Sequence, residues 1–113
     1  GEALKDKIFM CAVTASSPED AYSPDGFQNY PLRTFLTPLE QTARLCQMRG
    51  LPPYVLYESL AASEDERLPD HVKGYKRLIM GLREERYDCE RAGAYDVIQA
   101  QDLKTLLRDE ETA

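Results

Sequence analysis

The chain has 113 residues, no tryptophan, a single histidine (His71) and three cysteines (Cys11, Cys46, Cys89). One histidine excludes a multi-histidine metal site. The cysteines form no C-x-x-C pair and have no zinc spacing, so no metal centre is expected. An odd number of distant cysteines suits a reducing, cytoplasmic setting, with Cys11 and Cys46 as small hydrophobes among apolar neighbours. Cys89 sits between Asp88 and Glu90, whose charge disfavours a nucleophilic thiolate. No apolar run approaches the ~20 residues that cross a bilayer. No signal-peptide pattern is visible, because Gly1-Glu-Ala-Leu4 opens directly into charged sequence. Basic charge is in deficit, with 14 Lys and Arg against 20 Asp and Glu and a net charge of −6. That balance argues against a duplex nucleic-acid binder. Also missing are a G-x-G-x-x-G turn, a G-x-x-x-x-G-K-[ST] phosphate cradle and a G-x-S-x-G nucleophile elbow.

What remains is the composition of one small soluble domain, 42% hydrophobic and 30% charged. Lys7-Ile-Phe-Met-Cys-Ala-Val13 reads as a strand buried on both faces, with neighbours on either side. A long stretch rich in turn-formers follows, from Thr14 to Pro31, and carries Tyr22, Phe27 and Tyr30. Loops above ~12 residues are usually functional or disordered, which marks this one as the informative segment. Leu32, Phe35, Leu36, Leu39, Ala43 and Cys46 then make one helical stripe. Thr37-Pro-Leu-Glu40 predicts a capped start, so the expected helix runs from Pro38 to about Arg49, after a short helical turn, with Gly50 as its stop. Tyr54–Ser59 reads as a second strand, completing a βαβ unit. The stripe Leu68, Val72, Tyr75, Ile79, Leu82 predicts the buried face of a helix from Ser63 to about Tyr87. His71 reads as an ordinary residue in the first turns of that helix. Residues 83–113 hold 9 acidic and 5 basic side chains and predict an acidic tail, with one short helix at Leu103, Leu106 and Leu107 and a frayed end.

In open α/β sheets ligands sit beyond the carboxyl ends of strands, which places a candidate site in the loop after the first strand. Thr14, Ser16 and Ser17 offer hydroxyls and N–H groups to a polar ring edge, and Tyr22 and Phe27 offer flat surfaces. The alternative is a loop whose aromatics only cover the sheet edge.

Five segments carry a family resemblance: Ala12-Val-Thr-Ala-Ser-Ser-Pro-Glu-Asp-Ala-Tyr22, Asn29-Tyr-Pro-Leu32, Pro38-Leu-Glu40, Cys46-Gln-Met48 and Leu51-Pro-Pro53. In order and spacing they resemble the C-terminal half of the flavodoxin-like NAD(P)H:quinone oxidoreductases. The nearest branch is the ancillary subunits of glutathione-gated potassium efflux systems. The resemblance covers about residues 1–82 and implies a C-terminal βαβα portion of a doubly wound, parallel-sheet α/β domain. It also implies FMN, NAD(P)H as co-substrate, two-electron reduction of a quinone, and a homodimer.

The family's Thr-Thr-Gly-Gly loop, which contacts the flavin ring, matches Thr14, Ala15, Ser16 and Ser17. Tyr22 matches a ring-side aromatic of the nicotinamide and quinone pocket, with Phe27, Gln28 and Asn29 as its further lining. The family's loop histidine is replaced by Gln28 or a neighbour, and both glycines are lost. The half that carries the FMN phosphate turn is absent, so the chain alone is expected neither to hold FMN nor to turn over. Three readings follow: part of a quinone reductase, a regulatory subunit at the inner face of a membrane through a potassium efflux partner, or a dimerisation module.

Overall fold

In a computed structural model of the chain, which describes residues 2–108, residues 51–57 form an unbroken buried run. Within it lies a strand whose backbone is paired on both edges. To name the elements in chain order, β1 is Ile8–Phe9, β2 is Ala12–Thr14, α1 is Thr37–Leu45, β3 is Arg49–Gly50 and β4 is Tyr54–Leu56. On one edge β4 runs parallel to β2, with Ala12 opposite Tyr54 and Thr14 opposite Leu56. On the other, the Val55 N–H donates to the Ile98 carbonyl and the Ile98 N–H to the Pro53 carbonyl, both at 2.8 Å.

β1 runs parallel to β3, with Ile8 opposite Arg49. The register therefore slips by one residue between the two ladders. Pro52 and Pro53 explain the slip, because neither has an N–H to continue the pairing.

The strand expected over Lys7–Val13 is two short strands, β1 and β2, and its second edge is open among the described residues. Among the described residues β1 and β2 pair on one edge only, and Ile8, Ala12 and Thr14 are exposed. A continuous apolar run marks burial only when the neighbours that bury it are present.

α1 begins and ends differently from expectation. Thr37 does not cap it: its hydroxyl donates back to the Thr34 carbonyl at 2.7 Å, one turn into the 3-10 helix Leu32–Leu36. Glu40, instead of closing a capping box, faces Arg33, with Nε 2.9 Å from Oε2. The helix stops at Leu45, because Gln47 takes a left-handed φ of 61° and turns the chain into β3.

After the one-turn helix α2 (Ser59–Ala62) comes α3, Arg67–Arg83, which buries a different face from the one its apolar stripe predicts. Val72, Tyr75 and Ile79 are exposed, whereas His71, Gly74, Leu78 and Gly81 are buried. Two glycines let this helix approach closely: a Cβ at Gly74 would run into the Tyr54 hydroxyl, and one at Gly81 into the Leu107 side chain. The fully buried Tyr54 hydroxyl must find an acceptor, and it donates to the His71 carbonyl at 2.8 Å. The need to satisfy that hydroxyl, together with the room the glycines leave, selects the face. Hydrophobicity does not.

Residues 84–108 are not an appendage. They contain α4 (Cys89–Ala92) and α5 (Leu103–Leu106), and supply Tyr87, Ala92, Ile98, Leu103 and Leu106 to the larger core cluster with Leu51, Tyr54 and Leu78. The expected frayed end falls on residues 109–113, outside the described residues. A smaller cluster joins Ala15, Leu32, Val55 and Tyr57 on the side of the long loop.

Gly74→Ala should lose about 1–3 kcal/mol despite a helix-propensity gain of about 1 kcal/mol, because overpacking against Tyr54 outweighs it. In urea unfolding, the pair Gly74→Ala with Tyr54→Phe should cost less than the two single changes summed. Strict additivity would show that the close approach is not what requires glycine.

Candidate functional site

The loop that leaves β2 is stitched to the carboxyl end of β4. The Ala15 N–H donates to the Leu56 carbonyl at 2.8 Å, and the Ala15 and Ser17 carbonyls accept from Ser59 and Glu58 at 3.0 and 3.1 Å. Among the described residues, the N–H groups of Ser16 and Ser17 make no backbone bond. They remain as two donors just beyond the strand end. The chain then passes through a 3-10 turn, Glu19–Ala21, and folds back on it. A Cβ on Gly26 would collide with the carbonyls of Asp20 and Ala21, so glycine is required for this return. The Gln28 N–H donates to the Ala21 carbonyl at 2.8 Å, and its side-chain amide donates to Ser17 Oγ at 3.1 Å.

These bonds frame a cavity of about 330 Å³. Thr14, Ala15, Ser16, Tyr22 and Gln28 line one side, and Leu32, Phe35 and Leu36 the other. Five of the residues singled out from sequence are therefore brought together. The other three stand apart from this cavity. Ser17 lies behind Gln28 and borders a separate surface hollow with Phe27, whose side chain is 85% exposed. Asn29 holds the turn, at φ 68°, by donating to the Gly26 carbonyl at 3.1 Å.

Sequence reasoning missed Phe35 and Leu36 as lining residues. Their i, i+3, i+4 spacing from Leu32 reads as a buried helix stripe, and a tight 3-10 helix instead turns them toward the loop.

Tyr22 stands against protein and not in open space. Its ring meets Phe35 edge-on at 6.2 Å and Tyr57 at 5.7 Å. Burial pushes the Tyr57 phenol up to about 12, with the charges of Glu19 and Asp96 and the nearby Tyr22 adding to the rise. Among the cavity's lining residues none is a histidine, cysteine, aspartate or glutamate. These walls can bind and orient a flat polar group.

Tyr22→Ala should cost about 1–3 kcal/mol through the lost ring contacts, while Tyr22→Phe stays within about 0.5 kcal/mol; equal losses would mean the hydroxyl matters more than the ring. Because the folded state keeps Tyr57 neutral, its contribution to stability is complete below about pH 10 and is lost as pH rises through about 12. Tyr57→Phe should make the alkaline fall in unfolding free energy shallower over that window; an unchanged slope would place the effect elsewhere.

Residues 1–79 match the model of a family described as having a flavodoxin-like fold. Curated relatives carry the name glutathione-regulated potassium-efflux system ancillary protein KefG. The protein of that name from Cronobacter sakazakii is 39% identical over 79 residues, covering 70% of this chain and 42% of its own length. The one from Pectobacterium carotovorum is 42% identical over 57 residues, 50% of this chain and 31% of its own. The one from Salmonella paratyphi B is 35% identical over 75 residues, 66% and 40% respectively. The chain thus spans less than half the length of the curated relatives it matches. No solved structure matches it. Among the described residues no helix is long and apolar enough to cross a membrane. The parallel strands, the loop at their carboxyl ends and the match over residues 1–79 agree: the chain belongs to the flavodoxin-like fold family.

Proposed function

We propose that the chain serves as part of a regulatory ancillary subunit of a potassium-efflux system, held at the inner face of a membrane by a protein partner. The observation that carries this reading is the 35–42% identity to proteins named for that role. A net charge of −6 suits a basic patch on the partner. The open edge of β1 and β2, with Ile8, Ala12 and Thr14 exposed, is where further strands of a longer flavodoxin-like domain would pair. A homodimer belongs to the same reading.

A second reading, FMN-dependent NAD(P)H:quinone reduction, is favoured by the cavity beyond β2. The unpaired N–H group of Ser16 and the Thr14 hydroxyl suit the acceptor atoms along one edge of a flavin ring. FMN, when bound, would supply hydride transfer from NAD(P)H to a quinone. Thr14, Ala15 and Ser16 would hold the ring edge, and Tyr22 with Gln28 would orient what stacks beside it. Ser17, Phe27 and Asn29, outside the cavity, carry no role in it. Side chains at Ser16 and Ser17, where the family's loop has glycine, keep the backbone from the closest approach that glycine allows, which ranks this reading second.

The test pairs potassium efflux with flavin retention. Efflux should fall in cells lacking the gene and return on complementation; efflux indifferent to the gene would overturn the regulatory reading. The full-length product, mixed with excess FMN and freed of unbound flavin, should stay colourless if its role is regulatory alone. A retained flavin band with quinone turnover would establish the second reading.

A further inference from the structure

A second cavity, of about 270 Å³, opens on the opposite side of β4, between that strand, α3 and residues 99–101. It lies at the carboxyl end of β4, where Leu56 and Tyr57 form part of its wall. Gln99, Ala100 and Gln101 close it, and all three lie beyond residue 79, where the family match ends.

Its charge is opposite to that of the chain. Arg67, Lys73 and Arg77 line it against one carboxylate, Asp70, in a protein of net charge −6. Arg67 is engaged already, 3.1 Å from Asp65 and 3.7 Å from Glu58. Lys73 and Arg77 have no ion pair or hydrogen bond among the described residues.

His71 adds a polar ring to the same wall. It lines the same cavity, is 91% buried by its 9% exposure, and stacks on Tyr54 with ring centroids 4.4 Å apart. Its Nδ1 is buried without a hydrogen-bond partner among the described residues. Buried polar atoms of this kind are rare because each costs about 1–3 kcal/mol. Burial also holds the imidazole below its usual pKa, so the ring is a neutral hydrogen-bonding group beside two free cations.

We propose that this cavity binds a small oxyanion, phosphoryl or carboxylate, with Lys73 and Arg77 supplying the charge and His71 and Gln101 polar contacts around it. The guanidinium is a planar fork and the ammonium a point charge, a pair that suits an oxyanion better than a neutral ligand. Asp70 on the rim disfavours a bare polyanion, which limits the ligand to one or two negative charges. The site is separate from the cavity beyond β2 and does not depend on flavin binding there.

Because His71 is the sole histidine, its imidazole carbon-bound protons are an unambiguous NMR reporter. Inorganic phosphate and succinate would be titrated separately into the full chain at fixed pH and ionic strength. A saturable shift of the His71 resonances is expected with at least one of them. Phosphate alone identifies phosphoryl ligands and succinate alone carboxylates. In Lys73→Ala/Arg77→Ala, which alters two exposed positions, the dissociation constant should rise about tenfold or more. A far-UV spectrum and urea midpoint matching the parent would confirm that the variant is folded. Lys104→Ala, outside this cavity, should leave binding unchanged. No saturable shift with either probe, or saturation that survives the double substitution, would overturn the proposal.

Discussion

The backbone of β4 is hydrogen-bonded on both of its edges, to β2 and to the segment around Ile98, and most of the molecule is arranged to keep it so. A strand buried on both faces and paired on both edges cannot leave a polar group unsatisfied without a cost of about 1–3 kcal/mol. Tyr54 shows what this demands. Its ring is wholly buried, so its hydroxyl needs an acceptor, and the His71 carbonyl provides one only because α3 presents glycine at position 74. The helix face, its distance from the sheet and the place of the 97–107 segment all follow from that requirement.

The same strand separates two cavities. On the side of β2 the wall is hydroxyls, amide donors and aromatic rings, without a carboxylate or histidine. On the side of α3 it is cationic, with a buried imidazole. The first lies beyond the carboxyl end of β2 and the second at that of β4, where each strand stops and the chain can turn aside to leave space. The first is built wholly from residues inside the family match and the second partly from residues beyond it. The flavodoxin-like reading therefore speaks to the first cavity and leaves the second to be argued from its own chemistry.

The open edge of β1 and β2 has the opposite character. Leu4, Ile8, Phe27, Tyr30, Phe35, Leu39 and Leu45 are all exposed large apolar groups in the first 45 residues. Beyond α2 the exposed large apolar residues are confined to Val72, Tyr75 and Ile79 on one face of α3. An unpaired parallel edge next to exposed apolar side chains favours association, since both its backbone donors and its hydrophobic surface gain by being covered.

Sequence alone determined most of the element types and the parallel βαβ arrangement, and marked the long loop as a candidate site, because each is written in local patterning: branched and aromatic runs, turn-formers and helical spacing. Of the eight residues it grouped there, Thr14, Ala15, Ser16, Tyr22 and Gln28 line one cavity, since the loop folds back on itself at Gly26. Tertiary structure decided what local patterning cannot encode. Which face of α3 is buried depended on one hydroxyl and two glycines, against the apolar stripe. That residues 7–13 break into two strands with a shifted register depended on Pro52 and Pro53 in the partner, which the strand itself does not specify. The segment from 84 to 108 looks acidic and tail-like in composition, yet five of its side chains complete the core around Tyr54 and Leu78. Burial is a property of what surrounds a residue, and only the folded chain supplies the surroundings.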